Sequence, residues 1–528
     1  MIKKNTLITI SLIMLFISST YSQGFSPSAI QWSIPNLNET YDDQVYGDNS
    51  NFSVIDFDGD GLPDLVDAES STGEVWINGS QKYWMVYLNS AEGFSSTGIQ
   101  WNIPDLGETY DDQVTGDNSN FAVVDFNGDN MPDLIDAEDN VTGSVWTSGS
   151  QKYWKVYLNT GSGFSAVNIQ WNIPDLGETS DDQVYGDNSN FTVLDFNGDS
   201  KPDLIDAEDN VSFNVWTTGS QKYWKVYLNT GAGFTSTDLT WNIPDLGELY
   251  DDQIYGDNSN FSVLDFNGDG KPDLIDAEDN TSLNVPMLGS QRFWRVYINT
   301  GSGFAATATN WNIPALGEAY DDQVYGDDSN FSVMDFDGDG QPDLVDAEDN
   351  TSGNVWATGA QKYWAVFLNN GTGFAAIATQ WNIPALGEAY DDQVYGDNSN
   401  FSVLDMNGDD KPDLIDAEDN VSTNVWMSGQ QRYWNVFINS GSGSLGIPDS
   451  QDKAFALFPN PFTDSLTLAT DEILPDAEFN LYSTTGQQVY SAEISSAQQV
   501  FLLNLQSGIY FYRITSNNTL LKSGKLIR

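Results

Sequence analysis

The chain has 528 residues, of which 39% are hydrophobic and 13% aromatic, so it has the apolar content for a large core or a repeat array and is no disordered acidic tail. Acidic residues exceed basic ones by 58, and the whole excess lies between Gly24 and Gln451, where 70 Asp and Glu face 12 Lys and Arg. A field of that sign repels nucleic acid and anionic membrane and attracts cations; with no cysteine in the chain, packing, ring closure or metal must supply what disulfides cannot.

In chain order, MIKKNTLITISLIMLFISSTYSQ joins two lysines to an apolar run too short to span a bilayer comfortably, then to small and polar residues. This is the pattern of a secretory signal peptide over 1–22. No later segment is apolar for long enough to span, so the mature protein is expected to be soluble or attached by other means. The block NFSVIDFDGDGLPDL at Asn51 recurs from Asn120, Asn190, Asn260, Asn330 and Asn400, six copies with a period of 69 or 70 residues. Such a period marks a repeat architecture. All 17 tryptophans fall on three periodic positions, beginning at Trp32, Trp84 and Trp76, and Pro286 replaces the third in the fourth copy.

Within a copy, short apolar segments rich in β-branched and aromatic residues alternate with Gly, Asn and Asp clusters, which predicts strands and turns without helix. In the second full copy these are strand A (Phe121–Phe126), B (Asp133–Glu138), C (Lys152–Asn159) and D (Phe164–Trp171), with TGSG as a tight C–D hairpin. Four antiparallel strands repeated six times predict a six-bladed, all-β propeller over 24–443. GFSPSAIQW, Gly24–Trp32, matches the strand D segments, and the sixth copy lacks a strand D of its own. The first strand is therefore expected to complete the last blade and close the ring. A Gly/Ser-rich linker follows over 444–453. From 454 to 528 the repeat and the tryptophans disappear, and the alternation predicts a small β-sandwich of about seven strands.

The A–B connection carries Asp56, Asp58, Asp60 and Asp64 at positions 1, 3, 5 and 9, with the Leu62 carbonyl at position 7. Hard oxygen donors at alternate positions suit Ca²⁺, which takes about 6–8 oxygens. The pattern recurs at Asp125, Asn127, Asp129, Met131 and Asp133; at Asp195, Asn197, Asp199, Lys201 and Asp203; and at Asp265, Asn267, Asp269, Lys271 and Asp273. It appears again at Asp335, Asp337, Asp339, Gln341 and Asp343, and at Asp405, Asn407, Asp409, Lys411 and Asp413. DFDGDGLPDL, Asp56–Leu65, resembles the FG-GAP repeat of integrin-type propellers, whose motif is D-x-[DN]-G-D-G-x-x-D-L. The resemblance spans strands A to C of each copy and implies calcium in the A–B hairpins of the lower face. Asn130, Ser200 and Asp410 stand where the motif has its second glycine, which implies weaker sites there. Six divalent ions would offset only a small part of the 58 excess charges, so the acidic D–A connections, such as YDDQVYGDNSN, are expected to carry function or further cations.

The segment from 454 resembles a type IX secretion sorting domain through FPNPF (Phe458–Phe462), STTGQQV (Ser483–Val489), LQSGIYFYRI (Leu505–Ile514) and the terminal GKLIR. That resemblance implies contact with the type IX machinery and delivery outside a Gram-negative cell, released or held at the surface.

Catalysis normally needs a unique, asymmetric set of groups. Here histidine and cysteine are absent and the acids, Tyr and Lys come in near-identical copies, so the expectation is a binding protein and not an enzyme. The FG-GAP resemblance implies that the B–C and D–A connections share the upper face, where they repeat aromatic rings, Gln and a basic residue: Gln81, Lys82 and Tyr83; Gln151, Lys152 and Tyr153; Gln221, Lys222 and Tyr223; Gln361, Lys362 and Tyr363; Gln431, Arg432 and Tyr433. This mixture predicts multivalent recognition and adhesion to an extracellular polysaccharide or surface protein by a monomer. The alternatives are a polysaccharide lyase or glycoside hydrolase, for which Asp42 and Asp43 would be a carboxylate pair, and a structural surface-layer component.

Overall fold

The computed structural model describes residues 23–441, except 38–41, 48–49, 108–110, 117–118, 178–180, 187–188, 210, 247–250, 257–258, 280–281, 283, 317–320, 327–328, 350, 388–390, 397–399 and 420. Beyond 454 it describes the strands and a few residues beside them. The segment expected to be a signal peptide and the linker at 444–453 lie outside the described residues. The chain divides into two compact units, at residues 442 and 443.

Alternating apolar residues become a meander of four antiparallel strands in each copy. In the second, A is Phe121–Val124, B Asp133–Asp136, C Gln151–Tyr157 and D Ile169–Asn172. Strand B is buried along its whole length. Its register sets Phe121 opposite Asp136 and Val156 opposite Ile135, and Trp154 on C faces Trp171 on D. Strand D begins five residues later than predicted, because Phe164 makes only an isolated bridge to Asn159.

Each copy adds a feature the sequence reading missed. An outer hairpin, Glu138–Asp139 with Ser144–Ser148, continues the sheet beside the first half of strand C. It is polar and rich in turn residues, so it lacks the alternation that announces a strand. In the fourth copy it shrinks to Met287–Leu288, since Pro286 has no amide hydrogen to give the ladder.

Six such sheets form the blades, and six hydrophobic clusters fill the seams between neighbours. Two of the three tryptophan series, twelve side chains in all, are fully buried in these seams. The seam between the sixth and first blades holds Trp32, Phe52 and Leu65 with Ile415 and Trp434, so the ring is closed. Closure comes from Ile30–Ile34 pairing with strand C of the last blade, with Trp32 opposite Trp434 and Ile34 opposite Arg432. The four-strand blades and the closing strand agree with the sequence-based expectation of a six-bladed propeller.

The second unit has seven described strands in two sheets. One contains Phe455–Phe458, Ser465–Thr470 and Gln498–Leu502; the other contains Gln488–Glu493, Ala477–Ser483, Ile509–Ser516 and Thr519–Ile527. Leu466 from the first packs with Phe479, Leu481, Tyr512 and Ile514 from the second, as in a sandwich. Among the described residues, no helix is long and apolar enough to cross a membrane.

Candidate functional site

The A–B loops are built by their own aspartates. Asp56 accepts the amides of Gly59 and Gly61, at 2.8 and 2.9 Å. Asp60 accepts that of Leu62 at 2.9 Å. Asp64, 1% exposed, accepts Asn89 NH at 2.8 Å and Phe57 NH at 3.0 Å. Positions 1 and 5 repeat these bonds in the other five loops, through Asp125 and Asp129, Asp195 and Asp199, Asp265 and Asp269, Asp335 and Asp339, and Asp405 and Asp409. The chain at position 6 is left-handed in every copy, with φ of +89° at Gly61 and 67°, 67° and 64° at Asn130, Ser200 and Asp410. A side chain there is strained, which gives a backbone reason for the three departures to weaken their loops.

Carboxylate oxygens of Asp56, Asp58 and Asp64 lie within 4.8 Å of one another, as do those of Asp335, Asp337 and Asp343. Asp60 and Asp339 stand outside these groups. In the other loops position 3 is an amide, and Asn267 and Asn407 donate Nδ2 to Asp273 and Asp413 at 3.1 and 3.0 Å. Burial pushes the position-9 carboxyls Asp64, Asp133, Asp203, Asp273 and Asp413 up to about 7 and Asp343 to about 8, with the neighbouring loop aspartates adding to the rise. The donor set, all oxygen and partly buried, fits a hard divalent cation.

The loops also touch one another round the ring. A Cβ on Gly59 would lie 2.8 Å from Met131 Cγ, and one on Gly408, closing the circle, 3.0 Å from Leu62 Cδ2. The asparagine after strand C ties each loop into the fold. Asn159 NH donates to Asp133, and its amide group donates to the Phe57 carbonyl of the preceding blade's loop at 2.9 Å. Asn89, Asn229, Asn299, Asn369 and Asn439 do the same. Sequence reasoning missed this series. Its 70-residue recurrence was the available signal, but at the end of strand C it reads as an ordinary turn residue.

At the other end of strand C, the Gln and basic residues expected to meet a ligand make contacts within the chain. Lys82 Nζ donates to Asp105 at 2.8 Å and pairs with Asp111. Lys152 pairs with Asp175 and Asp181, Lys222 with Asp245 and Asp251, Arg292 with Asp321, Lys362 with Asp391 and Arg432 with Asp42. Asp111, Asp181, Asp251 and Asp391 are buried. Gln81 donates to the carbonyls of Lys82 and Ile103, and Gln151, Gln221, Gln361 and Gln431 repeat this. Trp84 Nε1 donates to the Asp111 carbonyl at 3.1 Å from a fully buried position. These groups pin the D–A connection onto its blade and are engaged inside the chain.

The third tryptophan series is half-buried at this end and pairs with the tyrosine of strand C, which is half-buried in the first, second, third and fifth blades and buried at Tyr433 in the sixth. Trp76 lies 6.1 Å from Tyr83, Trp146 6.5 Å from Tyr153, Trp216 6.5 Å from Tyr223, Trp356 6.2 Å from Tyr363 and Trp426 6.3 Å from Tyr433, centroid to centroid and 27–31° apart in plane. Pro286 deletes the pair in the fourth blade. Beneath the Trp146 pair lies buried Asp136, which accepts Trp146 Nε1 at 3.2 Å and is pushed by burial up to about 7.

Residues 265–345 match the FG-GAP-like repeat family, and residues 456–528 match the secretion system C-terminal sorting domain family. Among solved structures the chain is similar to PorZ, a bacterial surface component of the type IX secretion system of Porphyromonas gingivalis, at 12% identity and a TM-score of 0.29 over 91% of this chain. It is also similar to dimeric latent PorU from the same organism, at 12% identity and a TM-score of 0.14 over 75% of this chain. The chain spans 59% of the length of the first structure and 31% of the second. No curated protein matches it. The chain carries an FG-GAP-like repeat within its propeller and a C-terminal sorting domain that marks it for the type IX secretion machinery and for the cell surface or extracellular space.

Proposed function

We propose that this protein is a calcium-binding extracellular propeller that acts as a multivalent binding protein, an adhesin for polysaccharide or another surface protein. The observation that carries the reading is the Trp–Tyr pair, repeated in nearly the same geometry on five blades, its tryptophan half-buried at the end of the blade opposite the acidic loops. Aromatic faces held in place on a rigid ring suit weak, repeated contacts, which avidity multiplies. The basic residues and glutamines serve that surface indirectly, by fixing the connections beside it.

Calcium belongs to the reading through the lower loops. Position-1, position-3 and position-9 oxygens would hold the ion together with the position-7 carbonyl, and the position-3 asparagines would turn their amide oxygens toward it. Bound calcium supplies charge neutralisation, which lets clustered carboxylates stay ionised inside a closed ring. No catalytic role is proposed, because the candidate groups recur blade after blade without one special set.

The test is binding of the mature protein, in calcium, to an array of glycans and matrix proteins. Retention should fall stepwise as Trp76, Trp146, Trp216, Trp356 and Trp426 are changed to Ala in turn. Unchanged binding by the fivefold variant with an intact far-UV spectrum would sink the proposal, and release of sugar products from a bound glycan would replace it with the enzyme reading.

A further inference from the structure

Strand C sets one residue directly opposite the buried aspartate of strand B, and that residue differs from blade to blade. In the second blade Lys155 faces Asp136, and its ammonium sits 4.0 Å from the carboxylate and 3.0 Å from the Trp146 ring centroid. In the third blade Lys225 lies opposite Asp206, with its ammonium 3.1 Å from the Trp216 centroid. In the fourth, where Pro286 has removed the tryptophan, Arg295 turns to Asp276 at 3.1 Å and to the Glu278 carbonyl. The corresponding residues in the first, fifth and sixth blades are Met85, Ala365 and Asn435.

The fifth blade keeps the aromatic pair and the buried aspartate but lacks the ammonium, and Trp356 Nε1 does not donate to Asp346 as Trp146 Nε1 does to Asp136. Its register still sets residue 365 opposite Asp346, which is 2% exposed, and the Trp356–Tyr363 pair repeats the geometry of the second blade. Ala365 carries only a methyl group, where Met85 and Asn435 bring longer side chains to the same register position. Among the described residues no Lys or Arg lies over Trp356, and the nearest basic residue in sequence, Lys362, is paired with Asp391.

We propose that the fifth blade is an acceptor for a lysine side chain of a partner protein, whose ammonium takes the place over Trp356 that Lys155 and Lys225 take in their own blades. The internal copies define the ligand: an ammonium on an unbranched stem, drawn by an aromatic face beside a buried carboxylate. A strongly acidic surface favours the approach of such a partner. The proposal uses the same kind of Trp–Tyr pair as the multivalent reading but rests on the contrast between blades, so glycan binding and lysine binding fail independently.

The test follows the Trp356 indole NH by NMR in the full mature protein, assigned with a Trp356→Phe variant, during titration with N-acetyl-lysine methylamide. The norleucine analogue and glucosamine serve as comparisons. A saturable shift with the lysine probe is expected, and at least a tenfold smaller response with the other two. Ala365→Lys, which places in blade five the residue blades two and three already carry, should weaken probe binding at least tenfold, and Ala365→Met, which gives blade five the residue of blade one, should weaken it less. The proposal is overturned if Ala365→Lys binds the probe as the parent does, if norleucine shifts the signal equally, or if no saturable shift occurs. A shift with glucosamine alone would reassign the site to an amino sugar.

Discussion

Asn159 and Phe57 are 102 residues apart, yet the Asn159 side-chain amide donates to the Phe57 carbonyl at 2.9 Å. The same asparagine holds Asp133 through its backbone NH at 2.8 Å. One residue thus joins the acidic loop of its own blade to that of the blade before. Around the ring the last of these bonds, Asn89 to Met406, crosses 317 residues of sequence.

Replacing one rung should therefore loosen two loops together. Asn229→Ala leaves the buried carbonyls of Phe126 and Pro202 without this donor, a loss of about 1–3 kcal/mol. Chemical denaturation should register that loss, and calcium titration should show weakened binding at more than one site. A variant as stable as the parent would mean that water or a neighbouring group replaces the bond without cost.

Calcium and pH should act on stability in opposite directions. Burial raises the six position-9 carboxyls from the usual 3.8 to about 7, or about 8 at Asp343. The folded state therefore holds these protons more tightly than the unfolded chain. The resulting stability is fully present below about pH 3.8 and lost as pH rises through about 7. Melting in EDTA should show this decline between those limits. Millimolar calcium should raise the melting temperature most at and above neutral pH. Superposed melting curves with and without calcium at pH 7.5 would remove the metal from the account.

Lys152→Ala should damage the fold more than any surface interaction. The substitution strands buried Asp181 and should cost about 1–3 kcal/mol. Adding Asp181→Asn should recover part of the loss, which a double-mutant cycle would measure. If Lys152→Ala abolishes ligand binding while leaving stability untouched, the ion pair is not what the residue is for.

The closing strand should be indispensable. Trp32 is fully buried against the sixth blade, so Trp32→Ala should cost about 3–5 kcal/mol. Deleting residues 24–34 should expose the edge of strand C at 432–436 and produce aggregation, visible by light scattering. A monomeric deletion variant with an unchanged melting temperature would show that the ring does not depend on this strand.

The sequence by itself determined the number of blades, the strand that closes them and the chemistry of the acidic loops. Each is written in local order: a 70-residue recurrence, a displaced copy of strand D at Gly24–Trp32, and oxygen donors at alternate positions. The sorting domain was legible for the same reason, as motifs contiguous in the chain. Tertiary structure alone decided what the repeated side chains do. Trp84 and Trp76 are eight residues apart and equally aromatic, but Trp84 lies in a seam between blades and Trp76 pairs half-buried with Tyr83. Lys82 looks available until Asp111, 29 residues on, folds back beneath it. Burial and partnership are set by which segments meet across a blade or between blades, and a repeat with one period looks the same in sequence whether its side chains face a neighbour or the solvent.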